Sequence, residues 1–223
     1  MRVLGISGSL RRDSFNTQLL RAAAEIAEDD LELEIYDGLA AIPPYDADEE
    51  TLGTPAPVAD LKRRIAAADL VLIATPEYNS SIPGQLKNAL DWVSRPIKEN
   101  PLRSKPTAVI GASTSAYGGV WAQAELRKVL GIMGARVVEG EVAVPNAAEQ
   151  FDADGRLTHE ETREQLAQLL EDLVASAQPG LAASAITRRL ARGNNASGSA
   201  RKPTARRHSA TTLLVEQTGG VRP

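Results

Sequence analysis

Apolar residues cluster along the chain in two alternating rhythms, short continuous runs and longer stretches with helical spacing. Arg2–Ile6 (RVLGI) is a short apolar run that ends in Ser7-Gly8-Ser9, the pattern of a buried strand leading into a turn. From Asn16 to Glu28 apolar side chains fall at 19, 20, 23, 26 and 27, which predicts a helix. Leu31–Tyr36 alternates Leu31, Leu33 and Ile35 with acids, the pattern of a strand with one solvated side. A proline-rich loop at 42–46 precedes a predicted helix over Val58–Ala68. Asp69–Thr75 (DLVLIAT) is nearly all apolar, so this strand is expected to be covered on both faces, as central parallel strands are.

Pro83 suits the first turn of a helix running to Val93. Pro106–Gly111 predicts another buried strand, followed by a Ser/Thr/Gly loop and a helix over about 119–131. Arg136–Val144 reads as a fifth strand and Glu160–Ala175 as a closing helix. Strand and helix alternate throughout. The expected class is therefore α/β, a doubly wound five-stranded parallel sheet of flavodoxin-like order with helices on both faces. A barrel would need eight such units.

Composition changes this picture little. The chain has 223 residues, of which 43% are hydrophobic and only 4% aromatic, so Val, Ile, Leu and Ala must build the core. No run approaches the roughly 18–20 apolar residues of a membrane span, and no secretory leader is recognisable, so a cytoplasmic protein is the default. Zero Cys excludes disulfides, thiolate metal sites and a Cys nucleophile. The two His, at 159 and 208, leave little for a zinc site or a Ser–His triad; His159, before the last helix, reads as a capping or surface residue.

Charge divides the chain. The net charge of −4 separates into −11 over positions 1–177 and +7 over 178–223. The second segment contains Gly193-Asn194-Asn195-Ala196-Ser197-Gly198-Ser199, too polar to offset its ordering entropy. Residues 1–177 are expected to fold and 178–223 to form a basic, disordered tail, with room for a short helix near 181–192. Nucleic-acid binding by the tail is disfavoured, because it has no aromatic residue for base stacking.

In an open parallel sheet, ligands bind where the strands end, beside the switch in strand order. Three loops qualify. The first, residues 7–17, joins a tight turn at Gly8 to Ser9, Ser14, Asn16 and Thr17, with Arg11 and Arg12 beside a helix start. That is an anion cradle suited to a terminal phosphate, and it lacks both the nucleoside-triphosphate lysine and the G-x-G-x-x-G fingerprint. The second, Thr75-Pro76-Glu77-Tyr78-Asn79-Ser80-Ser81-Ile82-Pro83, is held rigid by prolines at both ends and can present amides to the edge of a flat heteroaromatic ring. The third, 111–119, has small residues, among them Ser113 and Gly118, that let a ring or sugar-alcohol chain approach the backbone.

Several pieces in this order carry a resemblance. They are Gly8-Ser9-Leu10-Arg11-x-x-Ser14-Phe15-Asn16, Ile42-Pro43-x-Tyr45-Asp46, Pro76-Glu77-Tyr78-Asn79 through Pro83-Gly84, Leu86-Lys87-Asn88-Ala89, Asp91-Trp92 and Gly118-Gly119. Together they resemble the NAD(P)H-dependent FMN reductase family, in its quinone- and chromate-reducing branch, over roughly 1–175. The resemblance implies non-covalent FMN, NADPH or NADH as co-substrate, a small-molecule electron acceptor, and homodimers or homotetramers with the flavin near a subunit interface. Carried over by position, Ser9, Arg11, Ser14 and Asn16, with Thr17 beside them, would hold the FMN phosphate. Pro76, Glu77, Tyr78 and Asn79 would contact the ring, mostly through backbone, and Ser113 and Gly118 would complete the pocket.

Two positions depart from the family pattern: Ser80 stands where an aromatic is common, and Trp121 where an Arg is common. The expected chemistry is hydride transfer from nicotinamide to FMN and on to quinones, azo compounds or metal oxyanions, with no side chain required as catalyst. Two alternatives share the fold: a reductase that releases reduced flavin to a partner, and a flavodoxin-like electron carrier without turnover.

Overall fold

The computed structural model describes residues 1–27 and 31–177; the tail expectations for 178–223 lie outside the described residues. Strand β1 (Arg2–Ser7) leads through the first loop into α1 (Phe15–Ile26), then β2 (Glu32–Tyr36), α2 (Ala47–Leu52), α3 (Ala56–Ala67) and β3 (Leu70–Ala74). Helix α4 (Gly84–Val93), β4 (Pro106–Ala112), α5 (Val120–Ile132), β5 (Arg136–Val137), β6 (Val142–Val144), α6 (Ala147–Gln150) and α7 (Glu160–Ala177) complete it.

The sheet is parallel with order β2-β1-β3-β4-β5, and β6 also pairs with β4. Side chains alternate across each strand, so one sequence serves two cores. Leu4, Ile6, Val71, Ile73 and Val109 face α3, α4 and α5, where Leu61, Ile65, Leu86, Leu90, Leu126 and Leu130 are buried. Val3, Leu70, Leu72, Ala108 and Ile110 face α1 and α7, against Leu19, Leu20, Leu166, Leu170 and Leu173. Strand β3 is fully buried along its length, as its unbroken apolar run requires.

The fifth strand is not continuous. Between the last pair of β5 with β4 (Val137 with Thr107) and the first pair of β6 (Val142 with Ile110), β4 advances three positions while its partner advances five. The surplus bulges outward over 138–141, including Gly140 at φ 143°. Arg127 of α5 reaches into the break and donates from Nη2 to the carbonyls of Gly140 (2.6 Å) and Val109 (3.4 Å). Burial there pushes the guanidinium pKa below its ordinary value, with Glu141 pulling the other way. Helices α2 and α6, six and four residues long, are additional to the predicted elements.

Three of the motifs that carry the resemblance make structural contacts with one another. Asn88 Nδ2 and Trp92 Nε1 of α4 both donate to the Pro43 carbonyl, at 2.8 and 2.9 Å, while Asn88 Oδ1 accepts from the Tyr45 amide at 2.7 Å. The Ile42–Asp46 loop is thereby strapped onto α4, with the Tyr45 ring edge-on to Trp92 at 5.0 Å. His159 acts as a cap: its Nδ1 accepts from the Thr162 amide at the start of α7. Among the described residues no helix is long and apolar enough to cross a membrane.

Candidate functional site

Strands β1, β3 and β4 are neighbours and run in one direction, so the three loops after them emerge side by side at one rim of the sheet. They are fastened to one another. The Gly8 amide donates to the Ala74 carbonyl at the end of β3 (2.8 Å), and Thr75 donates to Ile110 of β4 (2.9 Å). A Cβ on Gly8 would stand 2.9 Å from Leu86 Cδ2 and 3.3 Å from Pro76 Cδ, so the first and second loops touch because this residue has no side chain.

The first loop ends in a capped helix. Ser14, buried and extended (φ −85°, ψ 123°), is the N-cap of α1, and its hydroxyl accepts from the Thr17 amide at 3.4 Å. Gln18 donates to the Ser14 carbonyl. Of the four amides that a helix start leaves without internal partners, those of Ser14, Phe15 and Asn16 have no acceptor among the described residues. Thr17 Oγ1 donates to Ser7 Oγ (2.9 Å), which also accepts from the Ser9 amide, and Ser9 Oγ accepts from the Arg11 amide. No acid lies in the first turn of α1, and the exposed Arg11 and Arg12 form no ion pair among the described residues. Open amides, a hydroxyl cap and two exposed guanidinium groups outweigh the one carboxylate of Asp13 and make this turn electropositive.

Asn16 sits apart in one respect. Its side chain is engaged at both ends by the backbone of Ala112, which leaves its own amide, without an acceptor among the described residues, as the group it can offer a ligand. Ser7, absent from the sequence-based set, is a hub of the turn. A buried serine closing an apolar strand was the available signal.

In the second loop, Tyr78 and Ser81 exchange two backbone hydrogen bonds of 3.1 Å around Asn79 and Ser80, which adopt φ 53° and 59°. This is a tight two-residue hairpin at left-handed angles that Asn tolerates well. Pro76 is buried; Tyr78 is half exposed. Glu77 has a role that its position in sequence did not announce: its Oε2 accepts from the Ala122 amide (3.0 Å), capping the first turn of α5. The second loop is thus tied to the helix that follows the third.

The third loop is shaped by small residues. Ser113 donates its amide to Val144, and its hydroxyl accepts from the Ser115 amide. Gly118 and Gly119 both have positive φ, and a Cβ on Gly118 would lie 2.8 Å from the backbone of Ala143 and Val144. Ser9, Arg11, Ser14, Thr17, Pro76, Glu77, Tyr78, Asn79, Ser113 and Gly118 therefore share one rim, with Asn16 beneath it. The arrangement joins a turn with open amides and exposed guanidinium groups to a tight hairpin and a glycine-lined loop, which suits a ligand with a phosphate at one end and a flat ring at the other.

Residues 1–149 match the profile of a family described as NADPH-dependent FMN reductase. The chain belongs to that family. Membership bears out the resemblance carried by the motifs and the oxidoreductase class that came with it. An NAD(P)H-dependent FMN reductase of Pseudomonas aeruginosa is 42% identical to this family member over 174 residues, 78% of this chain and 93% of its own. A 2-hydroxy-1,4-benzoquinone reductase of a Burkholderia species is 38% identical over 176 residues, covering 78% and 95%. Among solved structures, the flavoenzyme NAD(P)H:(acceptor) oxidoreductase FerB of Paracoccus denitrificans superposes with a TM-score of 0.72 at 37% identity, over 80% of this chain and 97% of its own. The flavodoxin-like strand order is common ground.

Proposed function

We propose that the chain is an NAD(P)H-dependent FMN oxidoreductase acting on quinones and similar small-molecule acceptors. The observation that carries this reading is the electropositive, acid-free first turn of α1, opening onto the same rim as the Pro76–Pro83 hairpin. Arg11, the hydroxyls of Ser9 and Ser14, and the amides of Phe15 and Asn16 hold the phosphate of FMN, with Thr17 beside them. Backbone groups of Pro76, Glu77, Tyr78 and Asn79 read the polar edge of its ring, and Ser113 and Gly118 flank it.

FMN, when bound, supplies two-electron redox chemistry between NAD(P)H and the acceptor. The sum is NAD(P)H, a proton and a quinone giving NAD(P)⁺ and hydroquinone. The protein's own part is to bind, orient and limit water at the ring; no side chain here need give or take a proton. The excess acid of residues 1–177 does not favour either anionic nicotinamide cofactor over long range, and Arg11 and Arg12 are taken up by the FMN phosphate, so this reading carries no preference between NADPH and NADH. An assembly of two or four copies in the cytoplasm belongs to the same reading.

The visible spectrum of the purified protein, followed by anaerobic titration with NADPH and NADH, tests it. A flavin band bleached by at least one of the two is expected. A flavin-free protein, or a yellow one that neither bleaches, refutes it. FMN lost on gel filtration while turnover persists redirects the reading to a supplier of reduced flavin.

A further inference from the structure

Two large aromatic side chains stand at the rim without any part in the core or in the anion turn. Tyr117 is 60% exposed and Trp121 is 47% exposed, with ring centroids 4.9 Å apart and planes at 57°. The pair straddles Gly118 and Gly119, whose positive φ values turn the chain out of the third loop and directly into α5. Its position is fixed on both sides. Gly118 is pressed against the backbone of β6, the Tyr117 amide donates to Ser115 Oγ, and Glu77 holds the first turn of α5 through Ala122. The backbone that carries the two rings is therefore held between β6 and the second loop, where a Cβ on Gly119 would lie 3.7 Å from Glu77 Cβ, at the rim assigned to the flavin ring.

Chemistry narrows the occupant. Positions 113–121 carry no charged side chain, so this wall offers apolar ring faces and no cation. A hydrated metal oxyanion gains nothing there, whereas a flat conjugated ring gains offset or edge contacts with two aromatic groups. The tip of the second loop, Asn79-Ser80, is small and contributes no ring of its own. Exposed aromatic area held this firmly next to a ligand site marks a binding surface.

We infer that Tyr117 and Trp121 form the acceptor-binding wall of the site and select planar aromatic acceptors, quinones, over oxyanions; this rests on the FMN reading above. The quinone lies against the pair while it takes up two electrons and two protons. NAD(P)H supplies the hydride equivalent and solvent the second proton, and the product leaves as hydroquinone.

The test uses the full-length, FMN-loaded protein and its Trp121→Ala, Trp121→Phe and Tyr117→Ala variants, with 1,4-naphthoquinone as probe. Trp121→Ala should raise the KM for naphthoquinone roughly three- to tenfold, the size of one aromatic contact, and Trp121→Phe should raise it less. Without nicotinamide, naphthoquinone should quench tryptophan fluorescence in the oxidised protein. The midpoint should shift upward in Tyr117→Ala, and the quench should be lost in Trp121→Phe, because the other tryptophan, Trp92, is buried and bonded to Pro43. Unaltered KM and quenching midpoint across the variants overturn the inference. A fall in sedimentation mass with the quinone parameters kept also overturns it, by making the pair a contact between copies. A parent protein without flavin is recognised before any variant is made; it refutes the FMN reading and takes the wall with it.

Discussion

Asn16 and Ala112, 96 positions apart, are joined by a closed pair of hydrogen bonds: Asn16 Nδ2 donates to the Ala112 carbonyl at 2.9 Å, and the Ala112 amide donates to Asn16 Oδ1 at 3.0 Å. Both residues are buried. The side chain thus pairs with the last residue of β4 and sets the first turn of α1 relative to the third loop. Asn16→Ala strands a buried donor and acceptor and should cost about 2–4 kcal/mol, seen as a fall in Tm of roughly 5–10 °C. Asn16→Asp keeps one acceptor but faces a carboxylate oxygen toward the Ala112 carbonyl, so it should weaken FMN retention at least as much. Thermal denaturation and flavin absorbance after gel filtration check both.

Glu77 is the other fastener. Its carboxylate meets the Ala122 amide at the positive end of α5, where a charge and a hydrogen bond act together. Glu77→Gln retains an acceptor and should cost about 0.5 kcal/mol, whereas Glu77→Ala should cost about 1–2 kcal/mol. Urea denaturation of the two variants orders them; equal losses would mean that the carboxylate contributes only through its charge.

Local pattern made most of the architecture legible. The unbroken run Leu70–Ala74 declares a strand buried on both faces, and Ser14 before a helical stripe declares a cap. Features settled by distant residues were not legible. The run RVVEGEV looks like continuous strand, and only its pairing with β4 and the guanidinium of Arg127 from another element reveal two surplus residues. Asn16 in a helix's first turn reads as a ligand donor, and that its side chain pairs with Ala112 follows only once strand order brings that backbone opposite it. Helix α2 buries nothing, so no apolar stripe marked it, although Asp46 caps it through the Asp48 amide.

Two tyrosines give stability a dependence on alkaline pH. The Tyr45 hydroxyl donates to Glu50 Oε2 (2.8 Å), which pushes its pKa above the ordinary 10.0; burial, aided by Asp60, raises that of Tyr36. In both cases folding favours the protonated phenol. Their contribution is therefore complete below the unfolded value of 10.0 and is lost as pH rises through the higher folded-state values. The Tyr36→Phe, Tyr45→Phe double variant should show a shallower decline of Tm above pH 10 than the parent. Parallel declines would show that neither phenol is linked to folding.

Two glycines at the rim should respond to alanine with opposite signs. Gly84 opens α4 without a positive φ, and a Cβ placed there would meet nothing within 4 Å, so Gly84→Ala reduces unfolded-chain freedom and should stabilise by about 0.5 kcal/mol. Gly118 combines φ 61° with a Cβ position 2.8 Å from the Ala143 carbonyl carbon and the Val144 nitrogen, which are backbone atoms that cannot swing aside. Gly118→Ala must then push the third loop off β6 or distort its own backbone, at about 2 kcal/mol or more. Because the loop it would displace carries Ser113 on one side and Trp121 on the other, the same variant should also lose FMN more readily. Urea midpoints moving in opposite directions, with flavin loss confined to Gly118→Ala, are the expected outcome; equal midpoints would mean that the third loop yields freely and does not fix the rim.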